Sequence, residues 1–111
     1  MPKLDNYLRS SRRRAGLSQN EMAYLLGAQD GTKASRYERF ARTPSLETAL
    51  AYEAIFGLSV RELFAGVYER AERAAARRAR LLRKQVGPEK VLRLKILGEV
   101  RLDDKQQKIA A

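Results

Sequence analysis

An all-α domain of five short helices followed by a basic helical arm is the architecture this sequence predicts, and three observations predict it. Apolar residues recur at helical spacing in short segments separated by glycines or a Pro-containing loop. Two S-x-x-E runs, Ser18 to Glu21 and Ser59 to Glu62, are capping boxes, in which the serine hydroxyl and the glutamate carboxylate satisfy each other's backbone N–H groups. Nothing in residues 1–66 has the alternation of a strand.

The first helix spans Leu4 to Ala15, with Leu4, Leu8, Ser11 and Ala15 on one face and Gly16 as its left-handed stop. The Ser18 capping box opens a second helix over about residues 19–26, which carries Met22, Ala23, Leu25 and Leu26 and ends at Gly27. Residues 28–31 form a turn in which Asp30 caps a third helix over 31–39. Ala34, Tyr37 and the stem of Glu38 face inward there, and Thr32, Lys33 and Arg36 face outward. After a loop through Pro44, Ser45 caps a fourth helix with Leu46, Ala49, Leu50, Ala54 and Ile55, ended by Gly57. The second capping box opens a fifth, carrying Leu63 and Phe64. The expected core is Leu8, Leu17, Met22, Leu26, Ala34, Tyr37, Leu46, Leu50, Ile55, Leu58 and Leu63, with Ala23 and Gly27 small where helices approach. If Tyr37 is buried, its hydroxyl needs a partner.

Residues 67–111 form the arm. The stretch 67–85 is rich in Ala, Arg, Glu and Leu, all strong helix formers, and continues the fifth helix with a kink at Gly66. Its stripe of Tyr68, Ala71, Ala75, Ala79, Leu82 and Val86 is mostly alanine. Three readings stay open for it: a charged helix packing weakly on the domain, a dimerisation element, or a phosphate-binding arm. A net charge of +5 over residues 67–86 favours DNA contact or solvation over self-pairing, and an alanine stripe buries too little for a stable coiled coil. Beyond Gly87-Pro88, Val91, Leu94 and Leu97 fit a helix, whereas Leu92, Leu94 and Ile96 fit a strand. The helix is favoured because Pro88 and Gly98 bracket the run. Residues 103–111 read as a frayed tail.

Composition narrows the function. The 111 residues carry 23 Lys and Arg against 13 Asp and Glu, a net charge of +10, and contain neither Cys nor His. The charge is uneven: residues 1–66 hold +3 and residues 67–111 hold +7. Such a balance points to polyanions, nucleic acid before membrane. Without Cys, His or a convergent carboxylate cluster, neither a metal site nor acid–base catalysis is expected, so the chain is read as no enzyme and as holding no cofactor. No apolar run approaches the roughly 20 residues of a membrane span. The first residues lack the apolar stretch of a signal peptide, which gives a cytoplasmic expectation.

Two short helices joined by a turn, the second exposing polar and basic side chains, describe a helix-turn-helix, although a plain five-helix bundle fits the pattern alone. Leu8-Arg9, Arg12, Gly16-Leu17-Ser18-Gln19, Met22-Ala23 and Leu26-Gly27, followed by Ser35-Arg36-Tyr37-Glu38-Arg39, Pro44-Ser45-Leu46, Ala49-Leu50 and Phe56-Gly57-Leu58-Ser59-Val60 with Leu63-Phe64, resemble the Cro/cI-type (lambda repressor-like, XRE) helix-turn-helix family in order and spacing. The resemblance covers about residues 4–65. Two features depart from it. The turn from Gly27 to Ala34 is one residue longer than usual, and Phe40 stands where the family usually has Gly. Either no positive φ is needed at Phe40, or the cap is shifted.

The resemblance implies a transcription regulator that binds double-stranded DNA as a homodimer. Its third helix lies in the major groove, with Gly31, Thr32, Lys33 and Arg36 at base edges. Ser18, Gln19, Gln29, Arg39 and Arg42 are the implied phosphate contacts. Arg12 and Glu38 are implied to form a half-buried structural ion pair. The alternative is an antitoxin that binds a protein toxin through its arm and autoregulates through the same helix-turn-helix. A membrane-surface or RNA-binding role for residues 67–97 is disfavoured because the apolar face there is mostly alanine, without Trp or Phe, and offers few aromatics for stacking.

Overall fold

The computed structural model describes residues 3–91 and 94–96, and among these it is all-α, with no strand. Two compact units divide the chain, Met1–Tyr68 and Glu69–Ala111.

In the first unit, α1 (Leu8–Arg14), α2 (Gln19–Leu25), α3 (Gly31–Glu38), α4 (Leu46–Phe56) and α5 (Val60–Leu63) precede the start of α6 (Ala65–Val86). Their ends follow from local chemistry. Both capping boxes form in both directions, at Ser18 with Glu21 and at Ser59 with Glu62. Asp30 caps α3 through the Thr32 N–H, and Ser45 caps α4 through the Thr48 N–H. At the end of α1, Leu17 N–H reaches Arg12 O at 3.1 Å and Gly16 N–H reaches Arg13 O at 3.0 Å. At the end of α2, Ala28 N–H reaches Ala23 O at 2.8 Å and Gly27 N–H reaches Tyr24 O at 3.0 Å. Each pair of bonds is a Schellman closure, which turns the chain through a left-handed residue. Gly27 supplies that φ (77°), and a Cβ on it would meet nothing, so it serves the turn and not the close approach expected of it.

The third closure uses a non-glycine residue. Phe40 sits at φ 57°, with its N–H on Tyr37 O at 3.0 Å and Ala41 N–H on Arg36 O at 2.8 Å. Neither alternative for this position holds: the positive φ is needed, the cap has not shifted, and the chain takes that conformation with a phenylalanine.

The first helix begins four residues later than expected. Leu4 is exposed, and residues 3–7 are not helical but are tied across the unit. Leu4 O accepts from Gly66 N–H at 2.8 Å, Tyr7 N–H donates to Leu63 O at 2.7 Å, and the Asn6 side chain donates to Tyr37 O at 2.9 Å. Gly66 is therefore no kink. The break between α5 and α6 falls at Phe64, at φ −119° and ψ 45°, and Gly66 is helical. A Cβ on Gly66 would stand 2.8 Å from both Leu4 C and Lys3 O, and closer still to Leu4 O, so only glycine lets this segment cross α6.

The core is built from Leu8, Met22, Ala34, Tyr37, Ala49, Tyr52, Leu63 and Phe64, with Leu17, Leu26, Ile55 and Leu58 packed at its edge. Leu46 and Leu50, expected inside, are 72% and 48% exposed. Helix α4 is apolar on nearly every side, and the face it buries is that of Ala49 and Tyr52, whose ring lies edge-on to Tyr37 and stacked on Phe56.

In the second unit, α6 continues and is followed by α7 (Pro88–Val91). The buried residues of α6 there are Ala76 and Ala79, with Ala79 packed beside Val91 and Ile96. Of the expected stripe only Ala79 is buried, while Tyr68, Ala71, Ala75, Leu82 and Val86 are exposed. The expectations for Leu92, Leu97, Gly98 and the tail 103–111 lie outside the described residues.

Candidate nucleic-acid interface

Helix α2 packs chiefly on α3, and the approach is close because Gly31 lacks a side chain. Its N–H donates to the Asn20 side-chain oxygen at 2.9 Å, and a Cβ would lie 2.7 Å from that oxygen and 3.2 Å from the Gln19 backbone. The bareness of Gly31 is thus used by α2, a packing role that the base-reading expectation did not include. Asn20, not anticipated from the sequence, is the residue that seats the start of α3.

One buried ion pair holds α3 to α1. Arg12 Nε donates to Glu38 Oε2 at 2.6 Å and Arg12 Nη2 to Glu38 Oε1 at 3.2 Å. The remaining guanidinium nitrogen, Nη1, donates to Leu17 O at 2.8 Å. Gln19 Nε2 reaches Glu38 Oε1 at 3.3 Å, so α2 joins the same network. The two side chains are 10% and 2% exposed, which is deeper than the half-burial expected. Donating its hydrogen bonds to Glu38 raises the Arg12 pKa above its ordinary value, against an opposing desolvation. Near this network lies Tyr52, whose buried hydroxyl has no hydrogen-bond partner among the described residues, whereas Tyr37 is the tyrosine expected to need one if buried. Burial, with the Glu38 charge adding to it, pushes the Tyr52 phenol well up.

This scaffold sets an outward face. Thr32, Lys33 and Arg36 on α3 are exposed, as are Gln29 in the preceding turn and Arg39 and Arg42 after the helix. Gln19, Asn20, Asp30, Gly31, Thr32, Ser35 and Arg39 line one open cleft between the start of α2 and α3. Within it the Thr32 hydroxyl and N–H hold the Asp30 carboxylate below its usual range, with the Arg36 charge contributing. At the head of α2, Ser18 is committed to capping: its hydroxyl accepts from Glu21 N–H at 3.0 Å, and its own N–H is taken by Glu21 Oε1 at 2.8 Å. The N–H groups of Gln19 and Asn20, in the first turn, have no acceptor within the helix. An oxyanion at this helix end would therefore meet Gln19 and Asn20, with Ser18 shaping the turn.

Among the described residues no group of three or more Asp or Glu side chains is disposed to hold a metal ion, and no helix is long and apolar enough to cross a membrane. Comparison with protein-family models, curated proteins and solved structures finds no match to this chain.

Proposed function

We propose that the chain is a sequence-specific double-stranded DNA-binding transcription regulator of the Cro/cI, lambda repressor-like type: a five-helix domain with a basic helical arm, cytoplasmic, non-catalytic and acting as a homodimer on DNA. The observation that carries this reading is the division of α3 into two faces. Ala34, Tyr37 and Glu38 are locked inward, Glu38 by the Arg12 pair, while Thr32, Lys33 and Arg36 stand exposed, and Thr32 lines the open cleft at the first turn of α2. A helix held rigidly with a donor-rich outer edge suits the major groove, where Arg and Lys donate to guanine O6 and N7 and a Thr methyl meets a thymine methyl. Backbone grip falls to the α2 start, where Ser18 caps the turn and the N–H groups of Gln19 and Asn20 are open, to Arg39 beside it, and to Gln29 and Arg42. One such helix reads only a few base pairs, so selectivity calls for two of them about 34 Å apart on successive major-groove faces.

Selection of binding sites from a random duplex pool, followed by footprinting, tests this. A repeated half-site at one-turn spacing is expected. A pool that enriches no sequence would overturn the reading, and a single unrepeated footprint would overturn its dimeric part.

A further inference from the structure

We infer that the outer edge of α6 is a track for the phosphate backbone of duplex DNA, formed by Arg70, Arg73, Arg77, Arg80 and Lys84. These five residues follow at intervals of three, four, three and four, and all five are exposed. At about 100° per residue they fall within an arc of about 80°, and at 1.5 Å per residue they extend over about 21 Å. One strand of B-DNA places roughly six phosphates in that rise. All five lie in the same unit of the chain.

The pattern exceeds what solvation of a helix requires. The only carboxylates of α6 are Glu69 and Glu72, Glu69 binds Arg73 at 2.7 Å, and no acidic residue follows up to Val86. Arg73 and Arg77 are four apart, as are Arg80 and Lys84, and Arg77 and Arg80 are three apart. Like charges at these spacings weaken a helix in isolation, and a polyanion laid along them reverses the sign of that effect.

The class of polyanion follows from the rest of the unit. Ala79, on the apolar side of α6, already packs with Val91 and Ile96. Leu81 and Leu82 are exposed, but residues 69–111 contain no aromatic side chain, so the helix is a weak membrane anchor. The same lack removes the stacking platforms on which single strands are held. A duplex backbone asks only for cations at the right spacing.

This inference goes beyond the reading of α3 and does not depend on it, because the test needs no selected site. The full chain and its R73Q/R77Q/R80Q/K84Q variant are titrated with a 20-base-pair duplex of arbitrary sequence over a series of salt concentrations, with helicity followed by far-UV circular dichroism. Every phosphate left without its cation takes about 0.9 from the slope of log K against log salt, so the variant's slope becomes shallower by about 2 to 3.6. The control R78Q/R83Q removes two cations that project about 80° and 220° around the helix from Arg70, and moves the slope by less than about 0.5. The pairs R73Q/R80Q and R77Q/K84Q repeat the test at half strength should the quadruple variant lose its helix. A slope change below about 0.5 in every edge variant overturns the inference. So does an equal change per charge in the control. If site selection fails while the edge variants still flatten the slope, this inference stands and the proposed function falls.

Discussion

Removing Glu38 isolates what the Arg12–Glu38 pair contributes. In Glu38→Ala the guanidinium stays in a site where it is 10% exposed, loses its 2.6 and 3.2 Å bonds and keeps only the 2.8 Å bond to Leu17 O. Gln19 loses its acceptor as well. An orphaned buried charge of this kind costs about 3–5 kcal/mol. At about 0.05–0.15 kcal/mol per residue, a unit of this size holds only about 3–10 kcal/mol, so Glu38→Ala either unfolds it or leaves it marginal. Glu38→Gln keeps an acceptor and loses the charge, and should cost about 1.5–3 kcal/mol. Arg12→Met with Glu38→Leu removes both charges together and should fall within about 2 kcal/mol of the parent, far less than the sum of the single losses. All five tyrosines lie within residues 1–68, so urea titrations followed by near-UV circular dichroism report this unit and not the arm. Because the pair is buried, the losses should persist at 1 M salt. A Glu38→Ala loss below about 1 kcal/mol, a loss that fades with salt, or additivity in the double variant would refute the reasoning.

Three further outcomes are expected. Arg36→Ala should cost about 1–3 kcal/mol against a selected site while binding to a scrambled duplex falls far less and the melting temperature barely moves, since Arg36 is exposed; equal losses on both duplexes would make it a phosphate clamp. Gly66→Ala should destabilise the unit although alanine is favoured over glycine in helices by about 1 kcal/mol, because the new Cβ meets the Lys3 and Leu4 backbone; faster amide exchange at Gly66 and Tyr7 is the accompanying signature, and a stabilised variant would show that the crossing is not held. The Glu21 carboxylate, held below its ordinary 4.5 by the Ser18 N–H and hydroxyl, contributes stability that is present above that value and is lost as pH falls through its folded pKa; a thermal-melting series from pH 7 to pH 3 should therefore be flatter for Glu21→Gln, and parallel curves would discount the capping box as an acid-sensitive element.

What the sequence reveals of this fold follows the range of the interactions. Helix ends at Ser18, Asp30, Ser45, Ser59, Gly16 and Gly57 are legible because each is decided within about four residues by a side chain or a φ preference. The start of α1 is not, because what keeps residues 3–7 out of the helix is bonding to Tyr37, Leu63 and Gly66, far along the chain. The buried face of α4 is not legible either. Leu46, Ala49, Leu50, Tyr52, Ile55 and Phe56 surround the helix with apolar groups, and periodicity cannot choose among them. In the candidate site, the pairing of Arg12 with Glu38 is implied by resemblance, whereas the added bonds to Leu17 O and Gln19 depend on how α1 and α2 meet.

Phe40 shows how a local rule fails for a physical reason. Glycine is preferred in left-handed backbone because a Cβ there costs roughly 1–2 kcal/mol, and a reading by residue type would move the cap elsewhere. The closure is set by its hydrogen bonds: Phe40 N–H and Ala41 N–H take the Tyr37 and Arg36 carbonyls that the end of α3 leaves free, and the pair can form only with this residue left-handed. The ring offsets part of the strain by being half-buried, beside Leu4 and Tyr7 along one cleft. Arg39 and Arg42 flank the turn, so the strained residue sets where these two cations leave α3. Strain kept at this point, and not at the glycine turns that end α1 and α2, lies beside the proposed backbone contacts, where a fixed exit direction has a use.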